Sequence, residues 1–492
     1  MTASQYIDDA RRRTTGLASR VGAAAARRLL NRNTVSTGLA LGPKNSGLQS
    51  IPGDKGLPIL GHTLTAAALG NEFMERRLET YGEISWSHGL GMPIVLAFGP
   101  EAAQEVFANR EKAFSQKGAE FFLGRFFKGG LMFLDAEEHH FHRRIMQEAF
   151  TRERLSGYLD SMDVIGRAAA AALSGDDLLV YPYVKRTLLD IATAVFMGDE
   201  PGPQSQMMAK AFTDCLRAAT AVVRFPVPGL RWSAGVRGRR VLEQYFYTRV
   251  HAKRASGGDD LFAALCRIRD EDGNQFTDDD VVNHLIFLMM ASTDTCATTS
   301  TAVLYQLALH PEWQDRVRAE SISEIGRGRL DLDALNRMRS LGMVINESLR
   351  LLAPVPGAIR KTVMDTSIQG YFVPKDTMVV GVMWLNHYWP GLWTNPYAFD
   401  PERFSEARRE DRSHRLAFVP FGAGAHKCIG THFAAMLVKV VVHYLLLDYR
   451  IELRPGYTLQ WTKNAAPAPI AGLPMLIRRI DDPDTENMTV AK

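Results

Sequence analysis

Four groups of residues in this chain have types and spacings that could do chemistry. The densest is Phe421-Gly422-Ala423-Gly424-Ala425-His426-Lys427-Cys428-Ile429-Gly430. Glycines at this spacing build a tight loop whose backbone can approach a flat ligand closely. The apolar run through Phe433, Ala434, Met436 and Leu437 then predicts a helix beginning at about Ile429. A cysteine just ahead of a helix start meets free backbone N–H groups and the positive end of the helix dipole. Both favour the thiolate, the form that binds metal. Cys215, Cys266 and Cys296 lie far off in sequence. One isolated thiolate does not suit zinc or an iron–sulfur cluster, and does suit a single axial bond to haem iron.

The second group is Ala291-Ser292-Thr293-Asp294-Thr295, inside an apolar stretch that starts at Phe287. An Asp beside a Thr in an apolar helix is costly unless it is used. Ser and Thr can also bend a helix by bonding back to its own carbonyls. The third group, His139-His140-Phe141-His142-Arg143-Arg144, concentrates imidazole and guanidinium groups. Zinc held by His139, His140 and His142 would need ligands from different faces of one helix, which argues against a metal site there. The fourth, Glu347-Ser348-Leu349-Arg350, sets a carboxylate and a guanidinium at i and i+3 on one helix face.

These groups need a large scaffold. At 492 residues the chain exceeds the usual single hydrophobic core, so one large or two closely joined domains are expected. A net charge of +4 over this length does not point to nucleic acid. The four cysteines show no paired spacing, which argues against a disulfide framework and for a reducing, cytoplasmic setting. No apolar run reaches the length of about 18 residues that a membrane span requires, and the N-terminus lacks the apolar core of a secretory signal. There is no glycine-rich nucleotide fingerprint, so any electrons must come from a separate protein.

Residues 10–35 carry seven arginines, Arg11, Arg12, Arg13, Arg20, Arg27, Arg28 and Arg32, and no acid. This reads as a basic amphipathic helix on a membrane surface, a transit-type leader or a solvated leader. Residues 1–50 are therefore expected to be a leader with possible peripheral membrane contact, and 51–492 a single catalytic domain. The stretch from Pro43 to Pro58 is rich in turn formers, and Ile94-Val95-Leu96-Ala97-Phe98 is strand-like. From about residue 137 to 453 helical periodicity dominates, as at Glu137–Phe150, Leu179–Met197, Met207–Val223, Val236–Lys253, Asp278–His310 and Glu312–Ile325. Strand-like pieces recur at Ser367–Val373, Met378–Met383 and Met475–Arg478. The fold class is mainly α with a smaller β-rich part.

The cysteine loop matches the pattern Phe-x-x-Gly-x-x-x-Cys-x-Gly at every fixed position, and so resembles the haem-binding loop of the cytochrome P-450 superfamily. The resemblance runs from about Pro52 onward and looks closest to actinobacterial members. It implies the cytochrome P-450 fold and haem b (iron protoporphyrin IX) with Cys428 as the metal ligand. Phe421, Gly422, His426, Gly430 and Ala291 would line the cofactor. His139 and Arg143, spaced four apart, resemble a pair that binds the haem propionates, and Arg360 resembles a strand arginine with the same task. Glu347, Arg350 and the Arg403 of Pro401-Glu402-Arg403-Phe404 resemble a buried Glu–Arg–Arg network that holds the fold. Asp294 and Thr295 resemble the acid–alcohol pair that delivers protons during oxygen activation, on a helix that opens locally to leave a pocket. Ser292 departs from the pattern, standing where glycine is usual.

By this resemblance the chain is a monooxygenase that inserts one atom of O2 into a small hydrophobic substrate such as a sterol, fatty acid or terpenoid. A ferredoxin with its reductase, or a similar flavoprotein, would supply electrons, docking near Lys427 and Lys439. Pocket candidates are Phe121, Phe122, Phe126, Phe127 and Met132 in a loop, Met290 on the oxygen-handling helix, Val355, Gly357, Ala358 and Ile359 after the Arg350 helix, and a late turn at Ala466–Ile470. Phe225-Pro226-Val227-Pro228-Gly229-Leu230-Arg231-Trp232 reads as a mobile, partly apolar lid. Two other readings use the same residues: a peroxygenase or isomerase, and a non-enzymatic haem or lipid sensor.

Overall fold

The computed structural model describes residues 22–28, 30, 36–219, 221, 223–462 and 466–480. Of the basic leader, Arg11, Arg12, Arg13, Arg20 and Arg32 lie outside the described residues. The chain forms two compact units, a smaller one from the chain up to Gly118 with Pro356–Trp389, and a larger one from Ala119–Val355, Pro390–Thr462 and Ala466 onward.

The smaller unit is built on a seven-stranded sheet. Its strands, in spatial order, are Thr37–Gly38, Pro52–Asp54, Ile84–Gly89, Met92–Phe98, Met378–Val382, Ala358–Thr362 and Phe114–Ser115. The apolar run at Ile94–Phe98 forms the centre, antiparallel to Ile84–Gly89 and parallel to Met378–Val382. Pro100 sits in the first turn of the helix Gly99–Ala108, where its missing N–H costs nothing.

The proline-rich stretch is pinned by one carboxylate. Asp54 is 2% exposed and meets Gly56 N at 2.8 Å, the Tyr81 hydroxyl at 2.9 Å, His62 Nε2 at 2.5 Å and the Arg77 guanidinium. Burial alone would raise its pKa; His62 and Arg77 outweigh burial and hold it far below the carboxylate range. Residues 22–28 are helical, with Ala23 and Ala26 buried beside Leu69, Phe73 and Phe98, while Arg27 forks onto Glu72 at 2.7 and 2.8 Å. The apolar side of this part of the leader is thus packed within its own unit.

The larger unit is helical around the 32-residue helix Asp278–Leu309. Its start is a capping box, in which Thr277 and Asp280 satisfy each other's backbone N–H. Against it pack Val180–Ala192, Arg339–Leu351 and Thr431–Asp448, joined in one apolar core with Arg152–Ala171. Thr431–Asp448 is apolar and long enough to pass for a membrane span, but Val440, Val441, Val442, Leu445 and Leu446 are all buried inside the unit. A three-stranded antiparallel sheet of Tyr449–Leu453, Pro474–Arg479 and Asp177–Leu179 completes it.

Boundaries follow the hydrophobic pattern to within a few residues. The expected helix at Glu137–Phe150 is Ala136–Gln147 followed by a tight turn, and that at Leu179–Met197 is Val180–Ala192 running into a wider π turn, Thr193–Met197. The phenylalanine-rich segment expected as a loop is instead the helix Lys117–Phe127.

The Glu–Arg–Arg network forms as expected. Glu347 takes both Nε and Nη2 of Arg350 at 2.7 and 2.8 Å, Arg403 Nε at 3.3 Å and the Asp400 N–H at 2.9 Å. Arg350 also donates to Pro396 O and Ala398 O, and Arg403 to Asn395 O, so three buried charges tie down residues 394–403. Removing one partner would strand a buried charge at a cost of about 3–5 kcal/mol. Arg350→Ala is therefore expected to give insoluble or haem-free protein. The ratio of haem absorbance to protein checks this, and normal haem loading would show that the network is dispensable.

Candidate active site

The loop holding Cys428 is folded by its own backbone. Cys428 N donates to Phe421 O at 2.9 Å, Gly422 N to Val419 O at 3.1 Å and Lys427 N to Gly424 O at 3.1 Å. Gly422 and Gly424 have φ of 71° and 69°, the left-handed region that glycine enters without strain. Gly430 has φ of −89°, so it is not demanded by backbone strain; a Cβ there would meet only Cys428 Sγ, at 4.0 Å. Phe421 is half-buried against the main core, which anchors the loop's first residue.

The sulfur's environment differs from expectation in one respect. The helix starts at Thr431, three residues beyond Cys428, with Gly430 as its N-cap. Burial pushes the Cys428 thiol up, and the Gly430 N–H, the Thr431 side chain, Arg143 and Lys427 pull the other way without prevailing. A coordinated metal ion would favour the thiolate. Cys428 is nonetheless accessible, whereas Cys215, Cys266 and Cys296 are buried free thiols. Cys296 is pushed up to about 12, first by burial and then by Cys428, which places the Asp278–Leu309 helix near the loop.

Beside the sulfur lie groups that lack an anion. His139 is 1% exposed, stacks at 3.9 Å on the His426 ring, and its Nε2 has no hydrogen-bond partner. Burial, then Arg143 and His140, lower its pKa to about 4. Arg143 is half-buried; burial lowers its pKa, Cys428 opposes this, and no carboxylate pairs with it among the described residues. A buried orphan imidazole and an unmatched guanidinium one helical turn apart fit the carboxylates of a haem. Together with the open cysteine loop they fit that cofactor. Arg360 belongs to the smaller unit, on the strand Ala358–Thr362, with its guanidinium 5.8 Å from the Phe107 ring centroid.

The acid–alcohol segment sits where the long helix loses its packing. Residues 281–289 and 296–304 are almost all buried, but Met290, Ala291, Ser292, Thr293, Asp294 and Thr295 are each half-exposed. The helix is continuous here and does not open its backbone. Its hydroxyls turn inward: Thr295 Oγ1 donates to Ala291 O at 2.6 Å, Thr293 to Met289 O at 2.9 Å and Ser292 to Met289 O at 3.4 Å. The Ser292 side chain is thus drawn back onto its own helix.

Asp294 pairs with Lys185 Nζ at 2.9 Å, across from the helix Val180–Ala192. Burial would lower the pKa of Lys185, and Asp294 with Tyr181 raises it instead. A cavity of about 40 Å³ adjoins the pair, lined by Leu189, Phe212, Leu216, Met290, Thr293 and Asp294. Lys185 had no signal in the sequence, because its partner lies over a hundred positions away, beyond the reach of local spacing.

Several expected site residues fall elsewhere. Phe126 and Phe127 are wholly buried, Phe126 edge-on to Trp232 at 4.9 Å, so neither faces an open pocket; Phe121 does reach solvent, at 42% exposure. Lys439 is no docking residue, since its Nζ donates to Leu335 O at 2.5 Å and burial lowers its pKa to about 8. Lys427 is exposed. The segment 225–231 is exposed throughout, and neighbouring Arg224 donates to the carbonyls of Phe121 and Phe122 at 2.7 and 3.0 Å.

A profile of the Cytochrome P450 family matches residues 51–465. A protein of Mycobacterium tuberculosis named cytochrome P450 136 is 48% identical over 457 residues, covering 92% of this chain and 93% of its own. Abscisic acid 8'-hydroxylase 2 of Oryza sativa is 29% identical, covering 87% of this chain and 86% of its own. Among solved structures, the retinoic acid-bound cyanobacterial CYP120A1 superposes with a TM-score of 0.78 at 25% identity, covering 88% of this chain and all of that one.

Cys428→Ser is expected to abolish the long-wavelength Soret band that thiolate ligation gives the reduced, CO-bound protein. An unchanged band would assign the iron to another ligand.

Proposed function

The chain belongs to the cytochrome P450 family and is a haem-thiolate monooxygenase; on that premise we propose that residues 51–492 act as one catalytic domain hydroxylating a terpenoid carboxylic acid. The substrate class rests on the similarity to an abscisic acid hydroxylase and to a fold neighbour with retinoic acid bound, both ligands being isoprenoid acids. The half-exposed apolar stretch Met290–Ala291 beside the acid–alcohol pair is the observation that carries it to this chain: an apolar wall suits an isoprenoid skeleton.

Haem b bound through Cys428 supplies oxygen activation and insertion into an unactivated C–H bond. His139 Nε2, without a partner, and the Arg143 guanidinium would hold its carboxylates, with His426 stacked on His139, and Phe421, Gly422, Gly430 and Ala291 would line it by the resemblance. The reaction consumes two protons in a site that must otherwise stay dry. Asp294 is the group to carry them, because Lys185 holds its carboxylate beside a cavity large enough to admit water. The Thr295 proton is committed to Ala291 O, so its lone pairs are left to accept a hydrogen bond from an incoming donor. Electrons come from a ferredoxin and its reductase, which meet exposed Lys427.

The reading is tested by reconstitution with a ferredoxin, its reductase and NADH, using retinoic and abscisic acids beside a fatty acid and a sterol. A hydroxylated terpenoid acid carrying isotope label from dioxygen, with none formed from peroxide alone, is expected. A spectral response confined to the fatty acid or sterol would overturn the substrate class. Thr295→Ala is expected to bind the same acids and consume NADH while hydrogen peroxide replaces product, lowering coupling about ten-fold or more. Fully coupled turnover would remove Thr295 from proton handling.

A further inference from the structure

Two buried imidazoles take no part in the site described above. His142 lies on the helix Ala136–Gln147, and His284 near the start of the Asp278–Leu309 helix. His142 Nδ1 is 2.8 Å from His284 Nε2, a hydrogen bond that joins the two helices. The rings meet edge-on at 5.0 Å, and the buried Phe276 ring packs against both, at 5.4 and 4.8 Å. His284 Nδ1 has no hydrogen-bond partner. The first of these helices presents His139 and Arg143, and the second carries Asp294 and Thr295.

A hydrogen bond between two neutral imidazoles uses one proton. A buried N–H without a partner is rarer than a buried acceptor without one. That assigns the shared proton to His284 Nε2, which donates to His142 Nδ1 and leaves His284 Nδ1 bare. A further proton has no good place. On His142 Nδ1 it would set two N–H groups face to face. On His284 Nδ1 it would bury a charge, and among the described residues no carboxylate bonds to either ring. Burial, then His142, hold His284 far below the ordinary imidazole value, at about 3. The charges around the pair offer no relief. Arg144 forks onto Asp270 and Asp272, and Arg254 takes Asp278 at 2.7 Å and the Phe276 carbonyl at 2.9 Å. Glu138 is exposed, Asp280 is tied to Thr277, and Arg143, His139 and His140 bring only positive charge.

We propose that His284 is a positioning residue: through His142 it holds the His139–Arg143 turn to the long helix, so that the grip on the haem carboxylates loosens in acid. This rests on the reading of His139 and Arg143 as the carboxylate donors. The folded pKa of His284 lies below its unfolded one. Its contribution is therefore complete above about pH 6.5 and is lost as the pH falls towards 3. At pH 5.5 a freed imidazole takes up a proton and the paired one does not, which favours parting of the helices about ten-fold relative to pH 7.5. His139, also held low by burial, titrates with or without His284 and cancels in a comparison of variants at that position.

The test follows transfer of haem from the full-length holoprotein to haem-free myoglobin at pH 7.5 and pH 5.5. His284→Gln keeps an N–H donor facing His142 and cannot ionise. It is expected to lose haem as the wild type does at pH 7.5, and about ten-fold more slowly than the wild type at pH 5.5. If it does not accumulate as holoprotein, His284→Leu, which cannot ionise either, is read for the same flattened ratio between the two pH values. Loaded instead with the dimethyl ester of haem b, whose carboxylates are masked, variant and wild type should show equal acceleration by acid. Equal acceleration with haem b itself would overturn the proposal. So would a ten-fold difference that persists with the ester, because it would place the effect in the fold as a whole. Arg143→Gln separates the two readings. If it leaves transfer at pH 7.5 unchanged, Arg143 does not hold a carboxylate and the inference falls with that reading; if it speeds transfer while His284→Gln leaves the acid dependence unchanged, only the coupling through His284 fails.

Discussion

The larger unit depends on one carboxylate shared between two arginines. Glu347, Arg350 and Arg403 are each at most 1% exposed, and such charges persist only while all three are present and paired. Their spare donors do the structural work. By taking the carbonyls of Asn395, Pro396 and Ala398, they hold an irregular segment that has few backbone partners of its own. The cost of desolvating three ions is offset by order in a stretch that neither helix nor sheet could supply.

Around the sulfur, burial and charge oppose each other. A thiol at a helix start would ordinarily be ionised, but here the helix begins three residues later and desolvation wins. His139 and Arg143 show the same tension, both shifted first by burial. A cationic iron with two carboxylates would relieve each of these strains at once, favouring the thiolate and supplying anions to the orphan imidazole and the unmatched guanidinium.

The Asp278–Leu309 helix carries many hydroxyls, and most of those that bond back to it serve only the helix. Ser292, Thr293, Thr295 and Thr299 each satisfy a carbonyl three or four residues back. Among the described residues, Thr298 reaches another segment as well, the Pro467 carbonyl. The helix stays continuous through six half-exposed residues, and Ser292, the departure from the usual glycine, is folded onto its own backbone. Asp294 is the member of the segment whose side chain leaves the helix for a charged partner, Lys185.

What could be read from the sequence was what depends on local spacing. The loop of Cys428, the i,i+3 pair of Glu347 and Arg350, the His139–Arg143 turn, the Asp294–Thr295 pair and the helical periods all have their cause within a few residues, and the Glu347–Arg350 pair and most of the helices form as that spacing predicts. The mainly helical class follows from the same periodicities. Tertiary structure alone decided which groups are buried and what they meet at long range. It sent Phe126, Phe127 and Lys439 into the interior, joined Lys185 to Asp294, Thr298 to Pro467 and Asp54 to Arg77, and packed Ala23 and Ala26 inside the smaller unit. It also turned the Cys428 thiol towards its neutral form, because desolvation depends on how many atoms surround a group, and chain order does not record that number.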